Sequence, residues 1–207
     1  MNISACNRAD GIVGDMKKGK ATTNVQLRSD IGELTLVMTS SSVEELRLEP
    51  GDRVTALFRE VDVMLMKGEG SISTKNRLRG RILDVKKGNV TAEIPLDVGA
   101  GRRIVAVIAR TAAEEMGLSA GEEVIACVRE GDLILAKDGR LSIRNPLAGK
   151  ITGLRPGTVT TELTLDTGHG ELHALLARSI ADEMNLGVGQ EVQALLRERD
   201  FLILSTT

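Results

Sequence analysis

The chain has 207 residues, 27% of them charged, with a formal net charge of −2 and a sequence pI near 5.8. Such a chain sets up no long-range field for a polyanion, and with Phe58 and Phe201 as its only rings it lacks a base-stacking surface, so nucleic acid is not an expected partner. Cys6 and Cys127 are too few for a disulfide framework and fit a reducing cytoplasm, while no apolar stretch nears the ~20 residues of a membrane span. The expectation is a soluble, unprocessed cytoplasmic protein with no membrane partner.

Short β-rich or alternating runs come first, at 13–16, 20–27 and 34–38, parted by Lys17-Lys18-Gly19 and a polar loop at 28–33. They predict an antiparallel meander. The period changes at 40–46, where Ser41, Ser42, Glu44 and Glu45 surround Val43 and Leu46 and Pro50-Gly51 ends the run. This predicts a helix of about two turns. Two more strands, 53–59 and 61–66, are parted by the corner Arg59-Glu60-Val61-Asp62. Five strands with one short helix between the third and fourth is the plan of an OB-like barrel, whose interior is filled by side chains and whose ligands sit on loops or between copies.

The same order then returns twice. Asn7, Asn76 and Asn145 are spaced 69 residues apart, as are Gly11, Gly80 and Gly149, and Gly19, Gly88 and Gly157. Val25-Gln26-Leu27 recurs as Ile94-Pro95-Leu96 and Leu163-Thr164-Leu165, and indels at 28–33, 97–102 and 166–171 mark a surface hairpin. Helices are predicted at 111–118 and 179–186, with Thr111 and Ser179 as N-caps and Glu114 and Asp182 completing an approximate capping box. Each unit closes on an apolar run, at 61–66, 131–136 and 201–204. The expected fold is all-β with short helices: three tandem five-stranded OB-like barrels at 1–68, 70–138 and 140–207. A unit this small buries only roughly 60% of its unfolded surface, so neighbouring units or partner chains should complete each core.

Each unit opens on a matching tetrad, Ser4-Ala5-Cys6-Asn7, Ser73-Thr74-Lys75-Asn76 and Ser142-Ile143-Arg144-Asn145. This resembles the Ser-Ala-Arg-Asn opening of the Mop, or molbindin, domain of the TOBE group, and the later landmarks follow that family's order along the whole chain. The resemblance implies non-catalytic cytoplasmic binding, storage or homeostasis of molybdate or tungstate at interfaces between barrels, with that oxyanion as bound ligand and no cofactor. It also implies a homodimer, because family members gather six barrels and two triple-unit chains supply six. The alternative is a TOBE-like module that senses ligand or only assembles, since similar units are appended to transporter ATPases and DNA-binding regulators.

The resemblance also implies candidate oxyanion-binding residues. A tetrahedral dianion needs hydroxyl, amide and cationic donors with no carboxylate facing it. Ser4, Ser73 and Ser142 recur, with Asn7, Asn76 and Asn145, whereas the basic position is Lys75 in repeat two, Arg144 in repeat three and Cys6 in repeat one. Thr39 and Ser42 match the family's Thr-x-x-Ser step in repeat one alone, with Arg110 and Arg178 nearby in the other copies. Arg59, Arg129 and Arg197 stand for the late lysine. This uneven distribution predicts a composite site in which Thr39 and Ser42 face Arg144 or Lys75 of another unit. Glu60, Glu130 and Glu198 follow the late arginines and would repel a dianion if turned inward.

Structural roles compete for the same residues. A serine at a strand start can bond backbone in a turn, an asparagine can fix a bend, and an arginine beside a glutamate can form an exposed ion pair. Gly11, Gly80 and Gly149 read as bulges or close-packing points, and Cys6 as a small buried filler. His169 and His173 have no equivalents in the other repeats, so no direct metal site is expected. Without Cys-x-x-Cys, a phosphate-cradling glycine loop or Gly-x-Ser-x-Gly, the chain is not expected to be an enzyme.

Overall fold

The computed structural model describes residues 3, 5, 7–68, 70–143, 145–197 and 200. Repeat one runs β1 (Asn7–Lys18), β2 (Thr22–Ser29), β3 (Gly32–Thr39), α1 (Ser40–Glu45), β4 (Arg53–Phe58), a 3-10 turn (Glu60–Asp62) and β5 (Val63–Met66). Repeat two runs β6 (Asn76–Ile82), β7 (Lys86–Lys87), β8 (Thr91–Asp97), β9 (Arg103–Ala109), α2 (Arg110–Glu115), β10 (Glu123–Val128), a second 3-10 turn (Glu130–Asp132) and β11 (Ile134–Lys137). After β12 (Arg140–Leu141), repeat three contributes β13 (Asn145–Pro156), β14 (Thr160–Asp166), β15 (Glu171–Ala177), α3 (Arg178–Glu183) and β16 (Glu191–Leu196).

Period-two alternation builds the meanders. In β2 and β3, Val25, Leu27, Leu34, Leu36 and Met38 point inward and are buried, with Gln26, Thr35 and the outward Val37 between them. The Lys-x-Gly turn is closed by Gly19 N–H donating to Thr22 O at 2.8 Å, and a Cβ on Gly19 would lie 2.8 Å from that oxygen, so the turn admits only glycine. The first strand begins at Asn7, earlier than its sequence pattern suggests, and pairs with β4 over Asn7–Ile12 and with β2 from Gly11 to Lys18. A bulge between Val13 and Met16 bends it and curls the sheet.

The expected helix caps are corrected. Thr111 and Ser179 lie inside their helices, and the N-cap residues are Ala109 and Ala177, which make no side-chain cap bond. The strand ladder sets this boundary, because Arg110 N–H donates to Val90 O and Arg178 N–H to Val159 O, so the chain passes from strand to helix before the hydroxyl residue arrives. Only repeat one carries a hydroxyl at the boundary, where Thr39 Oγ1 accepts Ser42 N–H at 3.2 Å.

The closing strands of repeats one and two are exchanged. β11 of repeat two pairs with β4 of repeat one, and β5 of repeat one pairs with β10 of repeat two. Each 3-10 turn carries the chain away from the barrel it leaves. Phe58, Val63, Val128 and Leu135 consequently fall within one continuous core across the two repeats, whereas Ile151, Leu163 and Leu165 form a separate, smaller core in repeat three. Burial of each large apolar side chain contributes about 1.5–3 kcal/mol, so neither of the first two barrels keeps its core without the other.

Two reciprocal polar clamps reinforce the exchange. Asn76 Nδ2 donates to Thr35 O at 2.8 Å and Thr35 N–H donates to Asn76 Oδ1 at 2.6 Å, closing the outer edge of β3. Asn7 does the same to Val105 of β9, at 2.9 and 2.6 Å. These asparagines therefore tie one barrel to another and do not fix a local bend. Lys137 Nζ reaches Arg47 O at 2.7 Å and Asp52 at 2.5 Å, and its counterpart Lys67 reaches Met116 O at 3.3 Å and Glu122 at 2.9 Å. Hydrogen bonds from Lys137 and from Glu49 N–H hold the Asp52 carboxyl below its ordinary pKa, and those from Lys67 and Ser119 N–H lower Glu122.

Asn76→Ala leaves both polar groups of Thr35 without their partner and is expected to destabilise the paired barrels by about 1–3 kcal/mol, read as a lower urea midpoint in equilibrium unfolding. Because folding lowers the Asp52 and Glu122 pKa values, their contribution is complete above the unfolded carboxylate range and is lost as pH falls through the folded values. Urea midpoints should decline below about pH 5, and Lys137→Met should flatten part of that decline.

Candidate functional site

A cavity of about 290 Å³ opens where all three repeats meet. Thr22 and Thr39 of repeat one line it, with Gly131 and Leu133 of repeat two and Ser142, Ile143 and Arg197 of repeat three. Thr22 and Thr39 are cross-strand partners at the end of the β2–β3 pair, so the ladder that starts α1 also delivers both hydroxyls to the wall. Among the described residues that line it, none is a carboxylate.

The sequence Thr39-Ser40-Ser41-Ser42 produces a hydroxyl cluster behind this wall. Thr39 Oγ1 lies 2.7 Å from Ser42 Oγ and accepts from Ser41 Oγ at 3.3 Å, with Ser42 buried beneath it. Ser40 Oγ lies 3.0 Å from Thr23 Oγ1. On the opposite wall, Ser142 Oγ accepts Leu135 N–H at 3.0 Å while Ser142 N–H donates to Leu135 O at 2.9 Å. Its turn-like role and its place in the cavity thus coexist, because a hydroxyl that accepts a bond still carries a proton to donate.

The other candidates separate from this cavity. Ser4 and Arg144 lie outside the described residues. Ser73 is exposed, and Lys75 is held through its backbone N–H by Glu130 at 2.7 Å; the buried hydroxyl in that tetrad is Thr74, which donates to Val128 O. Arg110 pairs with Glu114 at 3.5 Å and Arg178 with Asp182 at 2.8 Å, each along its own helix. Asn7 and Asn76 are consumed by the inter-barrel clamps, and Asn145 Nδ2 donates to Leu196 O at 3.3 Å within its own barrel.

Arg59, Arg129 and Arg197 converge on aspartates that the motif reading passed over. Arg59 grips Asp62 with two bonds of 2.8 Å, and Arg129 Nε donates to Asp132 at 2.7 Å. Arg197, only 9% exposed, donates to Asp200 at 2.7 and 3.0 Å and lies within 3.2 Å of Asp132 and 3.4 Å of Asp62. The hydrogen bond that each donates to its neighbouring aspartate raises the Arg59 and Arg129 pKa values further. The available signal was the Arg-x-x-Asp spacing, repeated three times.

Glu60 does turn inward. It is 2% exposed and its Oε1 accepts Ala177 N–H at 3.0 Å, so in repeat three a carboxylate meets the strand-to-helix boundary that Thr39 occupies in repeat one. Glu130 is half-buried, its Oε1 accepting Lys75 N–H, and Glu198 lies outside the described residues. Burial pushes the Cys127 thiol pKa up, which keeps it protonated and inert. Among the described residues no group of three His, Cys, Asp or Glu side chains is placed to hold a metal ion.

Comparison with known proteins agrees with the three-barrel geometry. The model of the TOBE domain matches residues 3–65, 72–135 and 141–197. The molybdenum-pterin-binding protein MopB of Rhodobacter capsulatus is 38% identical over 117 residues, covering 54% of this chain and 43% of its own. The molybdenum transport protein ModE of Azotobacter vinelandii is 31% identical over 141 residues, 67% of this chain and 52% of that one. This chain therefore spans about half the length of these two relatives. A crystal structure of the cytoplasmic molybdate-binding protein ModG, with molybdate bound, superposes with a TM-score of 0.64 at 30% identity, covering 66% of this chain and 99% of that one. With matches falling on each repeat in turn, the chain belongs to the TOBE domain family, as a Mop-type member built from three tandem repeats.

Proposed function

We propose that this protein binds molybdate or tungstate non-catalytically at the seam between its repeats, as a cytoplasmic store or buffer of the oxyanion. The observation that carries this reading is the cavity that gathers Thr39 of repeat one with Ser142 and Arg197 of repeat three and has no carboxylate among its described lining residues. Relatives named for molybdenum binding, and ModG with molybdate bound, support the same ligand class.

The donor chemistry suits a tetrahedral dianion. Thr22, Thr39 and Ser142 supply hydroxyls, and in the sequence Arg144 directly follows the wall residue Ile143. Hydrogen bonds to a charged group contribute roughly 1.5–3 kcal/mol each, so three or four donors are required to offset the ion's loss of water. Arg197 adds positive potential, muted by its aspartates, and holds the wall in place.

The functional particle in this reading is a homodimer of six barrels. Repeats one and two complete one another, while Leu172, Ala174 and Leu176 of repeat three remain only partly buried. No helix is long and apolar enough to cross a membrane among the described residues. The second reading, a module that only assembles, is favoured by one observation: the late arginines are already held by aspartates.

Titration calorimetry with molybdate, with sulfate as control, decides between the two. The expected result is saturable heat with molybdate, weakened roughly tenfold or more by Thr39→Val and by Ser142→Ala, in line with about 1.4 kcal/mol per decade. Unchanged affinity in both variants would overturn the site, and no heat with the unaltered protein would leave the assembling role. Light scattering should return twice the chain mass of 22.1 kDa.

A further inference from the structure

The structure assigns to Glu60 the place of a bound oxyanion at the seam between repeats one and three: its carboxylate is a built-in ligand that closes this seam, while the Thr39 seam stays open. This rests on the function proposed above and says which seam the ion can use. The two boundaries are alike in backbone. Thr39 (φ −66°, ψ 144°) ends β3 and Ala177 (φ −60°, ψ 142°) ends β15. The residue after each donates its N–H to the adjoining strand, Ser40 to Ala21 O at 2.9 Å and Arg178 to Val159 O at 2.7 Å. Successive strand N–H groups point to opposite sides, so those of Thr39 and Ala177 are turned away from that neighbour. At Ala177 this N–H meets Glu60 Oε1 at 3.0 Å. Ala177 is fully buried and Glu60 nearly so, and the carboxylate therefore sits within the seam. An ionised carboxylate offers only acceptor oxygens, as a tetrahedral oxyanion does, and a backbone N–H donates to both in the same way.

The matching glutamate of repeat two shows what leaves a seam open. Glu130 holds the equivalent place in its 3-10 turn, but its Oε1 accepts Lys75 N–H at 2.7 Å. It does not line the Thr39 cavity, where Gly131 forms the wall instead. Neither turn uses its glutamate for the ion pair that fixes it, which Arg59 makes with Asp62 and Arg129 with Asp132. Each glutamate instead reaches an N–H elsewhere, and which one it reaches decides which seam is filled.

The side chains around Ala177 differ from those around Thr39 in the way this assignment requires. The hydroxyls of Thr39 and Ser42 are replaced by Ala177 and the buried Ile180. Ser40 is replaced by Arg178, which turns to Asp182 and to Gly157 O. Thr161, the match of Thr23, is left with a buried hydroxyl that has no hydrogen-bond partner among the described residues, whereas Thr23 Oγ1 lies 3.0 Å from Ser40 Oγ. A seam whose anion is supplied by the chain needs no ring of hydroxyl donors, and a second negative ion there would be repelled at short range.

Formate, the smallest carboxylate, tests the stand-in. Glu60→Ala is expected to unfold at a lower urea midpoint than the unaltered chain in chloride buffer. It should recover much of that loss in formate of equal ionic strength, because an anion that binds only the folded chain raises its midpoint. The unaltered chain and Glu60→Gln, whose carboxamide oxygen fills the same place, should show no such recovery. Equal formate shifts in all three proteins, or none in Glu60→Ala, overturn the assignment. Should Glu60→Ala fail to fold in chloride, refolding in formate is the supporting result and refolding in neither is the overturning one. Closure is read separately by equilibrium dialysis. The double variant Glu60→Ala, Ala177→Thr, which gives that boundary the hydroxyl of Thr39, should hold more molybdate per chain than the unaltered protein, and an unchanged amount overturns the closure. An unaltered chain that holds no molybdate tells against the proposed function instead, and the formate result then decides the role of Glu60 by itself.

Discussion

An OB-like barrel of under seventy residues has little core of its own, and in repeats one and two the solution is to borrow the last strand from a neighbour. The exchange puts one apolar run into another barrel's sheet and merges two undersized cores into one. Every other inter-repeat feature depends on that arrangement. The asparagine clamps have the edges of β3 and β9 within reach only because the barrels are crossed, and the lysines reach the neighbouring loops only because they end the exchanged strands.

The arginine-aspartate pairs follow from the same crossing. Strands leaving their barrels must turn at a common centre, and a turn that brings backbones together in a partly buried place needs its charges matched there. Arg59, Arg129 and Arg197 against Asp62, Asp132 and Asp200 supply a balanced set. A buried ion network of this sort adds little net stability over apolar packing, yet losing one member leaves an uncompensated charge and is costly. Its value is in fixing the crossing geometry. The cavity stands beside this centre, so the position of Thr39 relative to Ser142 is set by the same charges.

Much of this was legible in the sequence. The threefold recurrence of Asn, Gly and Lys-x-Gly marks gave the repeats, and alternation in 20–27 and 34–38 gave the meander that became β2 and β3. Thr39 and Ser142 were singled out by motif and do share one cavity. The exchange was not legible, because an apolar run such as 61–66 reads the same whichever barrel edge it covers. The asparagines were read locally for the same reason, although their partners lie 41 and 98 residues away. Thr111 and Ser179 look like caps on pattern alone, yet the ladder bonds at Arg110 and Arg178 had already fixed where each helix begins. The late arginines were weighed against the glutamate that follows each of them, whereas the side chains they hold are three residues on.

Divergence among the repeats then acquires a physical meaning. At the strand-to-helix boundary, repeat one has Thr39 with its serines, and repeats two and three have Ala109 and Ala177. At Ala177 the outward N–H is met by the buried carboxylate of Glu60, so the negative partner for that seam is part of the chain. At Thr39 the corresponding surface presents hydroxyls and faces Ser142 across an open cavity. One seam therefore carries its own anion, and among the described residues another presents donors without one. The first two repeats can differ in this way because the exchanged strands, not these seam residues, hold their barrels together, which leaves each seam free to change its charge without loss of their shared core.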